Sequence, residues 1–421
     1  MKFLERRLRN VQEKAILHSD LNCFYASVEM MLDPKLRGKA VAVCGSTEDR
    51  HGIVLAKSEK AKKAGVKTGM VNWEARQCCR DLIVVPPQYD QYLKFSKLTR
   101  AIYSRYTNLV EPFGMDECWL DVSKTTCGDA MTIAEDIRRA TREELGLTVS
   151  IGVSFNKVYA KLGSDMKKPD AITEITVNNY KDKVWPLDAS EMIYCGRATT
   201  ARLASYGIHT IGDIAKTNPA FLKHLLGVNG LSLWSYASGT DQSRVMPSDF
   251  VSPVKSIGHG ITCISDLLNE EEVWKVILEL SQDIGHRLRL HDLSAQGVQV
   301  SVRGNDLFGS QFQCKLPFKT QLPSEIASAA FKLFTDRYRW NTKIRAVCVM
   351  AIDLVSKKDP EQMSLFVDRE KLDRREKLED AVEDLRLRYG KKAITYALLL
   401  GDLKMPDDGR DIVKMPGLMY G

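Results

Sequence analysis

The sequence predicts an α+β protein of several domains, on three observations. Its 421 residues are nearly three times the ~150 of one domain. Alternating and helical hydrophobic periods are interleaved through the first ~180 residues, as in a mixed domain. A separate β-α-β-β-α-β order then runs from Val254 to Val355, the pattern of a small sheet with helices on one face. Composition supports folded cores: 44% of residues are hydrophobic and 27% charged, which excludes a mostly disordered chain. The 61 basic and 54 acidic residues give a net charge of +7, which permits an anionic partner without demanding one. No apolar run reaches the ~18 residues of a membrane helix. The basic N-terminal leader lacks the apolar core of a secretory signal. The ten cysteines are scattered with no Cys-x-x-Cys, so reduced thiols in a cytoplasmic protein are expected and a zinc site is not.

In chain order, Ala15–His18 reads as a buried strand with Asp20 at its end. Phe24, Val28, Met31 and Leu32 then recur at helical spacing until Asp33-Pro34 stops them. Ala40–Cys44 is a second strand, and a basic helix is expected from about Lys57 to Ala64, closed by Gly65. Two strand pieces flank Glu111-Pro112-Phe113-Gly114. In Leu147–Ser154, Val149, Ile151 and Val153 alternate with small or polar residues, a strand, and a helix follows over Asn156–Met166. Asp188–Gly239 reads as short helices broken by glycines. Asp241–Val254, with two prolines and three serines, reads as a linker. The small sheet needs strands near Ser256–Ile264, Gly297–Arg303, Phe312–Leu316 and Ile344–Leu354, with helices near Glu270–Leu290 and Ser324–Arg339. One further helix is expected near Glu370–Tyr389.

Three carboxylates stand at strand ends or turns: Asp20, Asp116 and Glu117. Acids carried by adjoining strand ends suit a hard divalent cation, which takes oxygen ligands. Taken singly, each is as well explained as a helix cap or a solvated charge. Neighbours in an ideal strand also face opposite sides, so Asp116 and Glu117 share a site only if the Gly114 turn bends the backbone.

The surrounding segments are more specific. Asp20-Leu-Asn-Cys-Phe-Tyr-Ala-Ser-Val-Glu29, Gly114-Met-Asp-Glu-Cys-Trp-Leu-Asp-Val122 and Gly152-Val-Ser-Phe-Asn-Lys-Val-Tyr-Ala-Lys161 occur in that order. Together they resemble the Y-family (UmuC/DinB-type) DNA polymerases, the bacterial translesion enzymes. The resemblance implies a multidomain right-hand polymerase, with a palm at 1–23 and 87–180, small fingers at 24–86 and a helical thumb at 181–244. A linker at 245–254, a β-α-β-β-α-β little finger at 255–356 and a C-terminal tail at 357–421 follow.

The resemblance also implies roles. Asp20, Asp116 and Glu117 match the catalytic carboxylates that hold two Mg²⁺ ions, with the Leu21 carbonyl as a further ligand. Cys23 and Phe24 match positions whose backbone approaches the triphosphate. Tyr25 matches the ring that leaves no room for a 2′-hydroxyl, and Lys161 the lysine on the triphosphate. In the fingers this chain has Ala56, Glu59 and Lys62 where many relatives have Thr, Tyr and Arg. Lys57 brings it closer to the UmuC-type variant, so either Lys57 or Lys62 supplies charge to the phosphates. Gly196 and Arg197 match a helix-hairpin-helix on DNA, although Tyr194 stands where its first glycine is usual. Lys255, Ser256, Lys343 and Arg345 match little-finger strands along the template backbone.

Gln362, Met363, Ser364, Leu365 and Phe366 resemble the peptide that docks bacterial polymerases on the sliding clamp, with apolar anchors beside an orienting amide. The expected function is template-directed, low-fidelity DNA synthesis past damage, by a monomer using primer-template DNA and dNTP and no membrane. The alternatives are a catalytically silent DNA-binding or clamp-recruited scaffold, and a nucleotide cyclase with a palm-like site.

Overall fold

The computed structural model describes residues 14–48, 50, 52–360 and 368–406. Two compact units divide the chain between Ser252 and Pro253.

The first unit is built on a five-stranded sheet. Its strands are β1 (Ile16–Leu21), β5 (Val110–Pro112), β6 (Glu117–Asp121), β7 (Val149–Ser154) and β8 (Ile172–Ile175), in the order β5-β6-β1-β7-β8. Every residue of β1 and β7 is buried, because helices cover both faces. Leu17, Leu21, Leu120, Val149 and Ile151 pack with residues of helices Tyr89–Tyr103 and Ala130–Leu145 in one core. Each such side chain contributes ~1.5–3 kcal/mol by leaving water.

The opposite face carries Ile16, His18 and Asp20 by the two-residue period of a strand. Pairing sets His18 beside Trp119 and Asp20 beside Glu117 on β6, and His18 beside Gly152 on β7. Gly152 lets helix Lys157–Met166 close onto this face. A methyl there would lie 1.8 Å from the Ala160 carbonyl oxygen, so only glycine permits the approach. Asn156 caps that helix, its side-chain oxygen accepting from the Tyr159 amide at 2.8 Å.

Val54–Lys57, Val41–Cys44 and Ile83–Val85 form a three-stranded sheet in that order. The expected helix from Lys57 is corrected here: Lys57 ends a strand, Ser58 caps, and the helix is only Glu59–Lys63. Lys57 therefore points by strand geometry, which periodicity over so short a basic run does not reveal. Further on, short helices at Arg197–Ala204, Ile211–Lys216, Pro219–Leu226 and Val228–Ala237 share a second core with Tyr159 and Val184.

The second unit has the expected β-α-β-β-α-β order. Strands Ile257–Leu267, Leu293–Gly304, Gly309–Thr320 and Ile344–Ser356 make one antiparallel sheet, and helices Glu270–Leu290 and Pro323–Arg337 share its apolar core. Helix Arg369–Tyr389 lies on the same unit through polar contacts. Arg386 donates to Gln282 at 3.0 Å and Arg375 to Ser324 at 2.9 Å. Among the described residues no helix is long and apolar enough to cross a membrane.

Candidate active site

Asp20 is the penultimate residue of β1, and Glu117, which begins β6, lies directly opposite it in register. Asp116 precedes β6 and lies in the turn that follows Gly114, whose φ of +96° is a glycine conformation. The Asp116 carbonyl accepts from the Leu21 amide at 3.0 Å, which pins the turn against the end of β1. Asp116 and Glu117 thus escape the opposite-face rule because only Glu117 is in the strand.

Asp20 is buried and Asp116 and Glu117 are half-buried, and the three carboxylates repel one another. Burial and the neighbouring Glu117 charge raise the Asp116 carboxyl to about 6. The same two causes raise Asp20, against the pull of Lys168. Burial also pushes Glu117 up, but His18 and Lys161 outweigh it and hold this carboxyl below its ordinary value.

Two ammonium groups occupy the acids. Lys161 Nζ lies 2.5 Å from Glu117 Oε2, and Lys168 Nζ lies 2.5 Å from Asp20 Oδ2. Asp165 joins both lysines, at 3.7 and 2.8 Å. In this arrangement no three His, Cys, Asp or Glu side chains among the described residues stand together as a chelating cluster. The donor chemistry nevertheless fits a divalent cation. The acids offer only oxygen, and burial and repulsion from Glu117 push two of them toward protonation, which a cation between them would oppose.

Of the residues expected at the nucleotide, Cys23, Phe24 and Tyr25 open helix Phe24–Leu32, while Lys57 ends a strand and Lys62 lies on helix Glu59–Lys63. Cys23 precedes that helix in the left-handed region, at φ 49°. Its thiol donates to Glu59 Oε1 at 3.1 Å, and burial together with Glu59 pushes it up to about 12. Phe24 is buried in the core. Tyr25 is half-buried and stacks flat on Tyr92, with centroids 4.2 Å apart and planes at 7°. Its hydroxyl meets Met115 Sδ at 3.8 Å. Lys57 Nζ donates to Thr68 at 3.0 Å, while Lys62 lies 3.9 Å from Glu59. Both act electrostatically on Cys23, so geometry leaves the choice between them open.

The expected DNA contacts lie on other elements. Gly196 caps helix Arg197–Ala204, and both Gly196 and Arg197 are exposed. Tyr194 adopts φ 64° with its ring 72% exposed, so a tyrosine holds the left-handed conformation that glycine takes at lower cost. Lys255 and Ser256 are exposed and precede the strand, which starts only at Ile257. Lys343 is exposed just before the strand that carries Arg345. Because these two strands are antiparallel, pairing Ile257 with Ala351 and Ile344 with Leu267, the two basic sites bracket the pair, ~30 Å apart along it. Gln362–Phe366 lie outside the described residues.

Sequence reasoning missed Lys168 and His18. Lys157, Lys161 and Ser164 fall at helical intervals on one stripe of helix Lys157–Met166, which was the available signal there, whereas Lys168 follows the end of that helix and gave none. Lys157 belongs to the same stripe, with Nζ 2.7 Å from both oxygens of Glu111 and 4.3 Å from the Trp119 ring centre.

Residues 19–165 match the impB/mucB/samB family and residues 254–365 match the C-terminal domain of that family. DNA polymerase IV of Acetivibrio thermocellus is 47% identical over 392 residues, covering 93% of this chain and 98% of the relative. DNA polymerase IV of Moorella thermoacetica is 37% identical, covering 92% and 96%, and DNA polymerase IV 1 of Bacillus subtilis is 36% identical, covering 91% and 92%. The solved Y-family DNA polymerase chimera Dbh-Dpo4(243-245)-Dbh superposes with a TM-score of 0.71 at 22% identity, covering 81% of this chain and 99% of that one; it speaks for the fold. These relatives correct the lean toward UmuC taken from the finger lysines, since a local substitution there carries less weight than identity along the whole chain. The chain belongs to the impB/mucB/samB family, the Y-family DNA polymerases, and is of the DinB type.

Proposed function

We propose that Asp20, Asp116 and Glu117 are the acids at which this protein joins a deoxynucleotide to a primer 3′-hydroxyl. The protein is a template-directed DNA polymerase of the translesion class. The observation that carries the assignment is the register of β1 and β6, which sets Asp20 against Glu117 while the Leu21 amide ties Asp116 to the same strand end.

Two Mg²⁺ ions, which Asp20, Asp116, Glu117 and the Leu21 carbonyl would hold, supply the positive charge that activates the hydroxyl and neutralises the departing pyrophosphate. The chain's own residues prepare that chemistry. Lys161 and Lys168 neutralise Glu117 and Asp20, and their flexible stems let them turn to the triphosphate once the acids are otherwise paired. The backbone at Cys23 and Phe24 faces the phosphates, with Lys57 or Lys62 adding charge. Tyr25 presents its ring to the sugar. Catalysis then consists chiefly of positioning and charge stabilisation.

The thumb residues Gly196 and Arg197 and the little-finger residues Lys255, Ser256, Lys343 and Arg345 hold the DNA backbone without reading its sequence. Four of these carry cationic side chains. Primer-template affinity, measured by fluorescence anisotropy, is expected to fall ~10²-fold between 50 and 200 mM salt, and a flat response would contradict this backbone role. The protein acts as a cytoplasmic monomer recruited to the sliding clamp by Gln362–Phe366. Deleting these five residues should spare distributive synthesis and abolish stimulation by the clamp, and retained stimulation would refute docking there. Primer extension across an abasic site, with and without Mg²⁺, tests the whole reading. Extension that is indifferent to Mg²⁺ would remove it.

A further inference from the structure

β1 carries a second polar residue on the face of Asp20. His18 is fully enclosed and set edge-on to Trp119, with ring centres 5.2 Å apart. Nδ1 lies 2.8 Å from the Ser164 hydroxyl. Nε2 lies 3.3 Å from Glu117 Oε2 and makes no aligned hydrogen bond in this arrangement, in which Lys161 holds the same oxygen at 2.5 Å.

A buried neutral imidazole has one N–H and one lone pair, so the two contacts are linked. In one tautomer Ser164 donates to Nδ1, and Nε2–H faces the carboxylate. In the other, Ser164 gives its proton to the Lys161 carbonyl, 2.8 Å away, and the Nε2 lone pair faces a negative oxygen. The first sets a donor against an acceptor at both ring nitrogens. The second sets two acceptors against each other, a costly arrangement away from water.

We propose that Ser164 and His18 are a positioning pair for Glu117: Ser164 fixes the tautomer, and the Nε2–H of His18 aims Oε2 into the metal-binding end of the sheet. The inference rests on the reading of Glu117 as a metal ligand and adds the groups that orient it. Lys161 reaches the oxygen on a flexible stem. His18 is locked in β1 by Trp119 and Ser164, so it continues to hold the carboxylate when the ammonium leaves. Partners that orient a ligating group in this way typically change metal affinity by ~10–100-fold when removed.

Substitution separates the two contacts. His18→Asn places an amide near Nδ1, within reach of Ser164, and leaves Glu117 without its partner. His18→Gln reaches the position of Nε2. Mn²⁺ binding to the full-length DNA-free protein, followed by electron paramagnetic resonance, is expected to weaken ~10-fold in His18→Asn and to recover in His18→Gln. The half-saturating Mg²⁺ in primer extension should move in parallel, with kcat at saturating metal changed less. Ser164→Ala, which removes a single oxygen atom, should weaken Mn²⁺ binding in the same direction and serves if His18→Asn melts early. Wild-type Mn²⁺ affinity in His18→Asn and Ser164→Ala, or a Gln variant no better than Asn, overturns the proposal. Glu117→Ala distinguishes the failures: if it binds Mn²⁺ and extends primers normally, the ligand assignment falls, whereas loss of both beside a normal His18→Asn removes only the positioning pair.

Discussion

Asp116→Asn is expected to remove primer extension by ~10³-fold or more while making the metal-free protein more stable. Asp116→Ala and Glu117→Ala should lose activity to the same degree. Both effects of Asp116→Asn have one cause. Desolvation of the half-buried Asp116 carboxyl and the neighbouring Glu117 charge raise it to about 6, so at pH 7 its charge opposes folding. The sign follows from linkage: a carboxyl raised on folding costs stability above its folded value, and that cost fades as pH falls through about 6. The amide removes the charge and keeps the shape, so a gain of ~1–2 kcal/mol is expected at pH 8 in EDTA, shrinking toward pH 5. Thermal melts across that range, beside single-turnover extension, read both. An active variant, or one that melts no higher than wild type at pH 8, would dissociate Asp116 from the site.

Tyr25→Ala should raise incorporation of ribonucleotides relative to deoxynucleotides by ~10²-fold, the discrimination one excluded hydroxyl affords. The ring is not free to yield. It lies flat on Tyr92 at 4.2 Å, and Tyr92 is in turn held by a short hydrogen bond from its hydroxyl to Glu29, which Gln88 also meets at 2.7 Å. A wall braced this way excludes by position. Tyr25→Phe keeps the ring and should keep the selectivity, because the hydroxyl's hydrogen bond among the described residues is a weak one to Met115 Sδ at 3.8 Å. The ratio of kcat/KM for a ribonucleotide and its deoxy counterpart, measured opposite one template base, decides the matter. An unchanged ratio in Tyr25→Ala would assign selectivity elsewhere.

The residues of the site differ in how legible they were. Asp20, Asp116, Glu117 and Tyr25 sit inside contiguous segments, so their neighbours identify them. The strands and helices of the second unit were legible from period alone, because a sheet with one helix-covered face leaves alternation intact. Lys57 was misplaced because four residues of strand before a five-residue helix give neither period room to show.

His18 and Lys168 belong to no short motif. Their role exists only once β1 pairs with β6 and β7 and Gly152 admits the helix that carries Ser164 and Lys161. The sequence by itself determined the family and the order of elements and singled out the acids proposed for the site, since these depend on neighbours along the chain. Only the tertiary structure decided which lysine neutralises which acid and which imidazole steadies Glu117. Such pairings join residues as many as 148 positions apart, and backbone register, not local spacing, brings them into contact.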